Sequence, residues 1–249
     1  MKPAFVWLLA TALAAEASTD DPAGAATRSP APWGLLRMEW AVERSTGSAG
    51  ELEADRLDQA SWSLRGSPAG WQWGLDVPVL QRRDADGRAA GLGDVVLKLS
   101  RELQALGAAQ SGWDLAVKWK TATGSAARGL GTGASDAVVQ LEWAHVAPAQ
   151  WLVFGELGYR VTGTPAGRTP RRNAWHAELG AQSPWVADWQ WGAFAHAREA
   201  VSRVGPQAEL TVYGQQRWGG QQLRLHVTRG NSLGSAAWAA GLAWSQRWP

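Results

Sequence analysis

The four histidines, at positions 145, 176, 196 and 226, are the natural proton-transfer groups of this chain. A hydrolase must bring a nucleophile within hydrogen-bond reach of its base. None of these histidines has a serine two residues away on its own strand face, and the sequence reads as carrying neither a nucleophile elbow nor an H-E-x-x-H pair. His176 and His196 fall on neighbouring expected strands, where a structural pair is favoured over a metal or acid–base site. Gly129–Gly133 is glycine-rich, but no strand–loop–helix context surrounds it, so it reads as a loop and not a phosphate cradle. Cysteine is absent, which excludes disulfides, thiolate metal sites, a cysteine nucleophile and an acylated N-terminal Cys. No cofactor is implied. A formal charge of +2 is too small to suggest nucleic acid as a partner.

The remaining charged residues recur at every second position. In Trp113-Asp114-Leu115-Ala116-Val117-Lys118-Trp119-Lys120, the apolar side chains share one face and Asp114, Lys118 and Lys120 share the other. This is the signature of a strand between two different environments. Such segments recur near 34–44, 57–65, 71–80, 93–101, 113–122, 137–146, 151–161, 174–183, 188–198, 207–215, 221–229 and 236–248. About twelve strands of ~9–11 residues suit a membrane-crossing barrel. After the N-terminus no apolar run is long enough for a transmembrane helix, which leaves a closed barrel as the only spanning structure. The expected fold is therefore all-β: a closed antiparallel transmembrane β-barrel over 33–249.

Short connections (Gly66–Gly70, Ala147–Gln150, Pro184–Ala187, Gln216–Gly220) alternate with longer polar ones (Ser45–Arg56, Gln81–Leu92, Thr123–Ser135, Thr162–Asn173). Tight turns at one end and loops at the other are usual for outer-membrane barrels; Glu102–Gly112 is longer than this scheme expects. The 18 tryptophans also point to a membrane interface, where indole is amphipathic by design of its ring. Trp62, Trp71, Trp113, Trp143, Trp151, Trp185, Trp189, Trp218 and Trp248 are expected at the periplasmic rim. A thinner external set comprises Trp40, Trp119, Tyr159, Trp175 and Trp238.

If the apolar face meets lipid, the other face lines a lumen. Its basic members are Lys98, Lys118, Lys120, Arg160, Arg198 and Arg224, with Arg37; its acidic members are Asp94, Asp114, Glu142, Glu156, Glu178 and Glu209, with Glu39 and Asp76. His176, His196 and His226 join them. The signs nearly balance, so ion pairs propping the wall compete with a charged constriction on a solute pathway. Small lumen positions, among them Gly158, Gly180, Gly192, Ala237 and Gly241, are expected to free space.

The N-terminus reads as an export signal: Lys2, an apolar run Ala4–Ala15, and A-x-A sites at Ala12–Ala14 and Ala15–Ala17. This gives a signal peptide at 1–17 and a flexible tail at 18–32 rich in Ala, Ser, Thr and Pro.

Several segments resemble the outer-membrane transporter family that bears the name MetA pathway of phenol degradation. They are Leu75-Asp76-Val77-Pro78-Val79, Gly91-Leu92-Gly93-Asp94, Lys120-Thr121-Ala122-Thr123-Gly124, Leu130-Gly131-Thr132-Gly133-Ala134-Ser135-Asp136 and Gly158-Tyr159-Arg160. They are similar, in order, to a V-P strand end, a G-x-G-D strand start, a K-x-P-T-G strand end, L-G-T-G-x-x-D and a G-Y-x strand. Ala122 stands where that family carries Pro, and Pro249 follows Trp248 where barrels commonly end on an aromatic. The resemblance implies transport of small solutes, hydrophobic or aromatic ones included. Its polar positions Asp94, Lys118, Lys120 and Asp136 read as end-of-strand ion pairing that fixes the external loops.

Three function classes follow. One is a narrow outer-membrane channel or transporter for a small-molecule solute. Another is a structural barrel with a plugged lumen, whose external Arg82, Arg83, Arg88, Arg168, Arg171 and Arg172 bind lipopolysaccharide phosphates. The least favoured is a membrane hydrolase. All three have outer-membrane lipid, lipopolysaccharide and the barrel-assembly machinery as partners. N-terminal sequencing of exported protein is expected to begin at Ala15 or Ser18; a start at Met1 would contradict the signal peptide.

Overall fold

The computed structural model describes residues 35–47, 55–85, 87–106, 110–165, 167, 170–201 and 205–248. The expected signal peptide and tail, Trp33 and Arg168 lie outside the described residues.

Among the described residues thirteen strands run β1 Leu35–Thr46, β2 Arg56–Ser67, β3 Trp71–Asp84, β4 Gly87–Leu92, β5 Val96–Gln104, β6 Ser111–Lys120, β7 Asp136–Val146, β8 Leu152–Thr162, β9 Ala174–Gln182, β10 Trp189–Arg198, β11 Gln207–Trp218, β12 Gln221–Gly230 and β13 Trp238–Trp248. Each pairs antiparallel with its sequence neighbour, except that β3 pairs β5 along its first half and β4 along its second. β1 pairs both β2 and β13, and β2 pairs β3, so twelve strands close a ring without β4. Closure leaves no edge in the ring, the condition for placing backbone amides in hydrocarbon. Among the described residues no helix is long and apolar enough to cross a membrane.

The alternation along β6 is complete: Trp113, Leu115, Val117 and Trp119 are exposed, while Asp114, Ala116, Lys118 and Lys120 are buried. Neighbouring strands keep that register, as in Leu99, Val117, Val139 and Tyr159 on one outward rung. Every tryptophan in the ring strands has outward parity. An exposed aliphatic and aromatic skin around a buried charged interior inverts the arrangement of a water-soluble protein.

Trp71, Trp113, Trp143, Trp189, Trp218 and Trp248 lie within four residues of the strand ends at the barrel end where β1 starts, the end expected to face the periplasm, and Trp151 immediately precedes β8. Trp113 packs on Trp143, and Trp151 packs edge-on against Trp191 at 4.9 Å. Trp62 is a correction. It sits in mid-strand on one rung with Trp40 and Trp244, because β2 continues to Ser67 and its end lies five residues beyond Trp62. Trp40, expected at the external rim, is likewise mid-wall.

Two connections also differ from expectation. Gln81–Leu92 is not a loop but a β3–β4 hairpin that continues the wall, with Val79 opposite Leu92 and Asp84 opposite Gly87. β5 runs on to Gln104 and β6 begins at Ser111, which shortens the connection expected over 102–112.

Replacement of Leu141, in the middle of an outward face, by Arg is expected to lower stability by about 2–4 kcal/mol, the cost of Arg at bilayer mid-depth. Urea unfolding from lipid vesicles measures this, and an unchanged unfolding free energy would contradict a lipid-facing wall.

Candidate functional site

All the strand residues expected in the lumen point inward: Lys98, Asp114, Lys118, Lys120, Glu142, Glu156, Arg160, His176, Glu178, His196, Arg198, Glu209, Arg224 and His226 lie on the inward parity of their strands. Asp94 lies between strands. Opposite Val77-Pro78 on β3 stand three residues, Gly93-Asp94-Val95, because Asp76 pairs with Val96 and Val79 with Leu92. The extra residue makes a bulge. Pro78 has no amide hydrogen, and its carbonyl accepts from Gly93 N at 2.8 Å. The Asp94 side chain ends fully buried, at 0% exposure.

There it meets a buried network at the external end of the barrel. Lys120 Nζ lies 3.1 Å from Asp94 Oδ2 and 3.1 Å from Asp136 Oδ2, and it donates to Thr132 Oγ1 and to Ala134 O. Asp94 accepts from Gly124 N at 2.8 Å and Thr132 N at 3.0 Å. Asp136 also bonds Arg160, accepts from Gly163 N at 2.9 Å and pairs with Arg171 at 2.9 Å. A Cβ on Gly131 would lie 2.4 Å from Asp94 Oδ1, so only glycine lets the loop approach this closely. The loop 121–135 is thereby drawn over the mouth. Leu130 is 1% exposed and packs with Leu57, Leu80, Ala236 and Ala239 in an apolar cluster inside the wall. Segments far apart in sequence, around Asp94, Lys120, Thr132 and Asp136, thus form one cap.

Below the cap, polar side chains cross-link the wall from β5 to β10. Lys98 Nζ bonds Glu142 at 2.5 Å; Gln140 bridges Glu142 to Glu156; His176 Nε2 lies 3.3 Å from Glu156. His176 stacks on His196 with centroids 6.2 Å apart, and His196 Nδ1 is 3.9 Å from Glu178. Lys118, Gln140, Glu156, His176, His196 and Arg198 line a pocket of about 420 Å³, open solvent included. No group of three or more His, Cys, Asp or Glu suited to a metal occurs among the described residues.

The opposite wall uses different pairs. Arg37 bonds Glu39 at 3.1 Å, Arg65 bonds Asp76 at 3.2 Å, and His226 Nε2 lies 2.8 Å from Glu43. Gln215 links Gln190, Gln222 and Arg224. Arg65, Arg247 and Glu43 are inward residues that sequence reasoning missed, although their parity relative to Glu39 and to the partner strands carries the signal. Three inward rings were missed as well: Phe154, Phe194 and Tyr213 are buried together, with Phe194 and Tyr213 centroids 6.3 Å apart.

These rings and the histidines take the space expected to be free. A Cβ on Gly180 would strike Phe154 and Phe194; on Gly192, Tyr213; on Gly158, His176; and on Gly241, His226. Small residues here admit a neighbour's large side chain. Ala237 is exposed just before β13 and does not line the lumen.

Two serine arrangements escaped the sequence reading. Ser111 Oγ lies 2.9 Å from His145 Nδ1, across the β6–β7 pair on the outward face at the periplasmic end. A search along single strands cannot see such a contact, and among the described residues no carboxylate orients this ring as a triad would. The letters G-x-S-x-G do occur at Gly230–Gly234. They form the β12–β13 connection, where Ser232 Oγ donates to Pro206 O at 2.9 Å and contacts Ser235 Oγ; this is not a strand–turn–helix elbow.

No protein-family model matches the sequence, and no curated protein matches it. Solved structures share the fold. An outer-membrane channel from Pseudomonas putida F1 superposes with a TM-score of 0.68 at 11% identity, covering 90% of this chain and 98% of that one. The NanC porin gives 0.55 at 9% identity, covering 84% and 97%. The KdgM porin gives 0.52 at 11%, covering 86% and 98%. The fold is that of outer-membrane β-barrels.

Lys120→Met removes the cation that pairs with buried Asp94 among the described residues. A loss of about 3–5 kcal/mol is expected, as for removal of one partner from a buried pair, together with faster tryptic cleavage after Arg128 in the loop. Unchanged stability and unchanged cleavage would contradict the capping role of Lys120.

Proposed function

We propose that this chain is an outer-membrane channel whose narrow charged lumen admits small solutes when the loop 121–135 moves. One observation carries the reading: the apolar outer wall encloses a polar interior, and the loop 121–135 lies over the external mouth, anchored by the buried Lys120–Asp94–Asp136 network and by Leu130. Eight strands fill their interior and 16–18 leave an open pore, so a ring of twelve with bridging side chains suits a gated passage. The likeness in fold to an outer-membrane channel and to two porins supports the same reading.

Within it, the solute is small and hydrophobic or aromatic. The buried inward patch of Phe154, Phe194 and Tyr213 offers ring faces in the periplasmic half, and the resemblance in the motifs from Leu75 to Arg160 favours the same class. His176, Glu156 and the surrounding pocket would then orient polar substituents. Delivery to the outer membrane is through a cleaved signal peptide and the barrel-assembly machinery.

A plugged structural barrel is the second reading, favoured by the complete burial of Lys120, Asp94 and Asp136. Planar-bilayer recording separates the two. Wild-type protein is expected to show small, infrequent steps. Lys120→Met is expected to open at least ~10-fold more often, since each 1.4 kcal/mol lost from the closed state is worth about that factor. Silence from both proteins would overturn the channel and leave the plug.

A further inference from the structure

The outer surface of the barrel is not uniform at its external end. Along β6 to β11, the outward positions nearest that end are Trp119, Ala137, Val161, Trp175, Ala197 and Ala208, none of them charged. Along β12, β13, β1, β2, β3 and β4 the pattern changes. One outward rung, followed through the strand register, reads Arg229, Trp238, Thr46, Arg56, Arg83, Arg88. The next rung toward the periplasm reads Val227, Ala240, Arg44, Asp58, Gln81, Ala90. The rung after that is wholly apolar: Leu225, Leu242, Val42, Ala60, Val79, Leu92. Five guanidinium groups with a single carboxylate therefore stand directly above the lipid-facing skin, on one arc of the ring.

Their geometry keeps them outward. Asp58 bridges Arg44 at 2.5 Å and Arg56 at 3.4 Å, and the Arg44 side chain still exposes 60% of its surface. Arg88 bonds Gln81, which in turn bonds Asp58. Arg229 lies over the Trp238 ring, 4.6 Å from its centroid, and donates to Ala237 O at 3.0 Å. Arg83 is exposed between Arg56 and Arg88. Of the loop arginines first expected to meet phosphate, Arg82 turns inward to Asp84 and Arg171 to Asp136, so neither belongs to this surface.

We propose that this arc is a binding site for the phosphorylated glucosamine headgroup of lipopolysaccharide, its acyl chains lying on the apolar rung beneath. Guanidinium binds phosphate through paired, charge-assisted hydrogen bonds. Neighbouring strands are about 4.8 Å apart, so Arg56, Arg83 and Arg88 form one cluster and Arg229 stands about three strands from Arg56. A ligand that carries two phosphates and a hydrophobic body matches both the spacing and the apolar surface below. The site lies outside the wall and does not depend on what passes through the lumen.

The test uses the full mature barrel in detergent and the triple variant Arg56→Gln/Arg83→Gln/Arg229→Gln. Heat-modifiable migration confirms that each is folded. Native mass spectrometry then measures binding of bisphosphorylated lipid A, its dephosphorylated form and inorganic phosphate. The wild type is expected to hold the bisphosphorylated lipid at least ~10-fold more tightly than the variant does, and to hold the dephosphorylated lipid no better than the variant. Equal retention of bisphosphorylated lipid A by both proteins would overturn the site. Wild-type binding of the dephosphorylated form as tight as that of lipid A would overturn the role of phosphate. Displacement of the lipid by millimolar inorganic phosphate would show a free-anion site instead of a lipid one. Should the triple variant not fold, the single variant Arg83→Gln, at an exposed position, carries the same comparison.

Discussion

A backbone amide inside hydrocarbon has no water to bond, so the chain must satisfy it from within. In this protein that requirement is met by pairing each ring strand on both sides, down to the closing contacts of β1 with β13 and β2 with β3. Closure has a second consequence. With a side-chain period of two, each strand must send alternate residues into the ring, and whatever cannot face lipid collects there. The buried charges of the lumen are thus not chosen one by one. They are the inward half of every strand, and their mutual pairing makes that half tolerable.

The pairing is uneven along the barrel. Mid-lumen groups such as Glu156, His176 and Gln140 bridge strand to strand in a belt of shared contacts. At the external end the partners belong to loops, and one ammonium group, on Lys120, joins the bulge at Asp94, the loop residue Thr132 and the strand start at Asp136. Charges buried this deeply are costly unless fully bonded. Opening of the cap, as the proposed channel requires, would hand every contact that the lysine makes to water. The bulge opposite Pro78 is the local cause, because it turns Asp94 from the wall into the interior.

The period-two pattern in segments such as 113–120 makes the strand faces, the strand number and the inward charged set legible in the sequence. Three things are not. Height along a strand depends on where the strand ends, and β2 ends two residues later than its pattern suggests, which moved Trp62 from rim to mid-wall. Space beside a glycine depends on the neighbouring strand's register, and Gly180 and Gly192 turned out to seat phenylalanine and tyrosine rings. Contacts across strands, such as Ser111 with His145, need that register too. The motif positions Asp94, Lys120 and Asp136 were legible as end-of-strand ion pairing that fixes the external loops, but nothing in their spacing said that one lysine joins both carboxylates or that Thr132 meets them.

The central claim is that indoles and aliphatic side chains touch lipid while their alternate neighbours enclose a wet interior. The chain has no cysteine, so single cysteines can be placed through 113–120 on a clean background. Each carries a fluorophore in proteoliposomes and is challenged in turn by a bilayer-confined quencher and a water-soluble one. Labels at 113, 115, 117 and 119 should be quenched from the lipid and those at 114, 116, 118 and 120 should not. Equal lipid quenching at odd and even positions, or protection of the odd ones, would contradict the account.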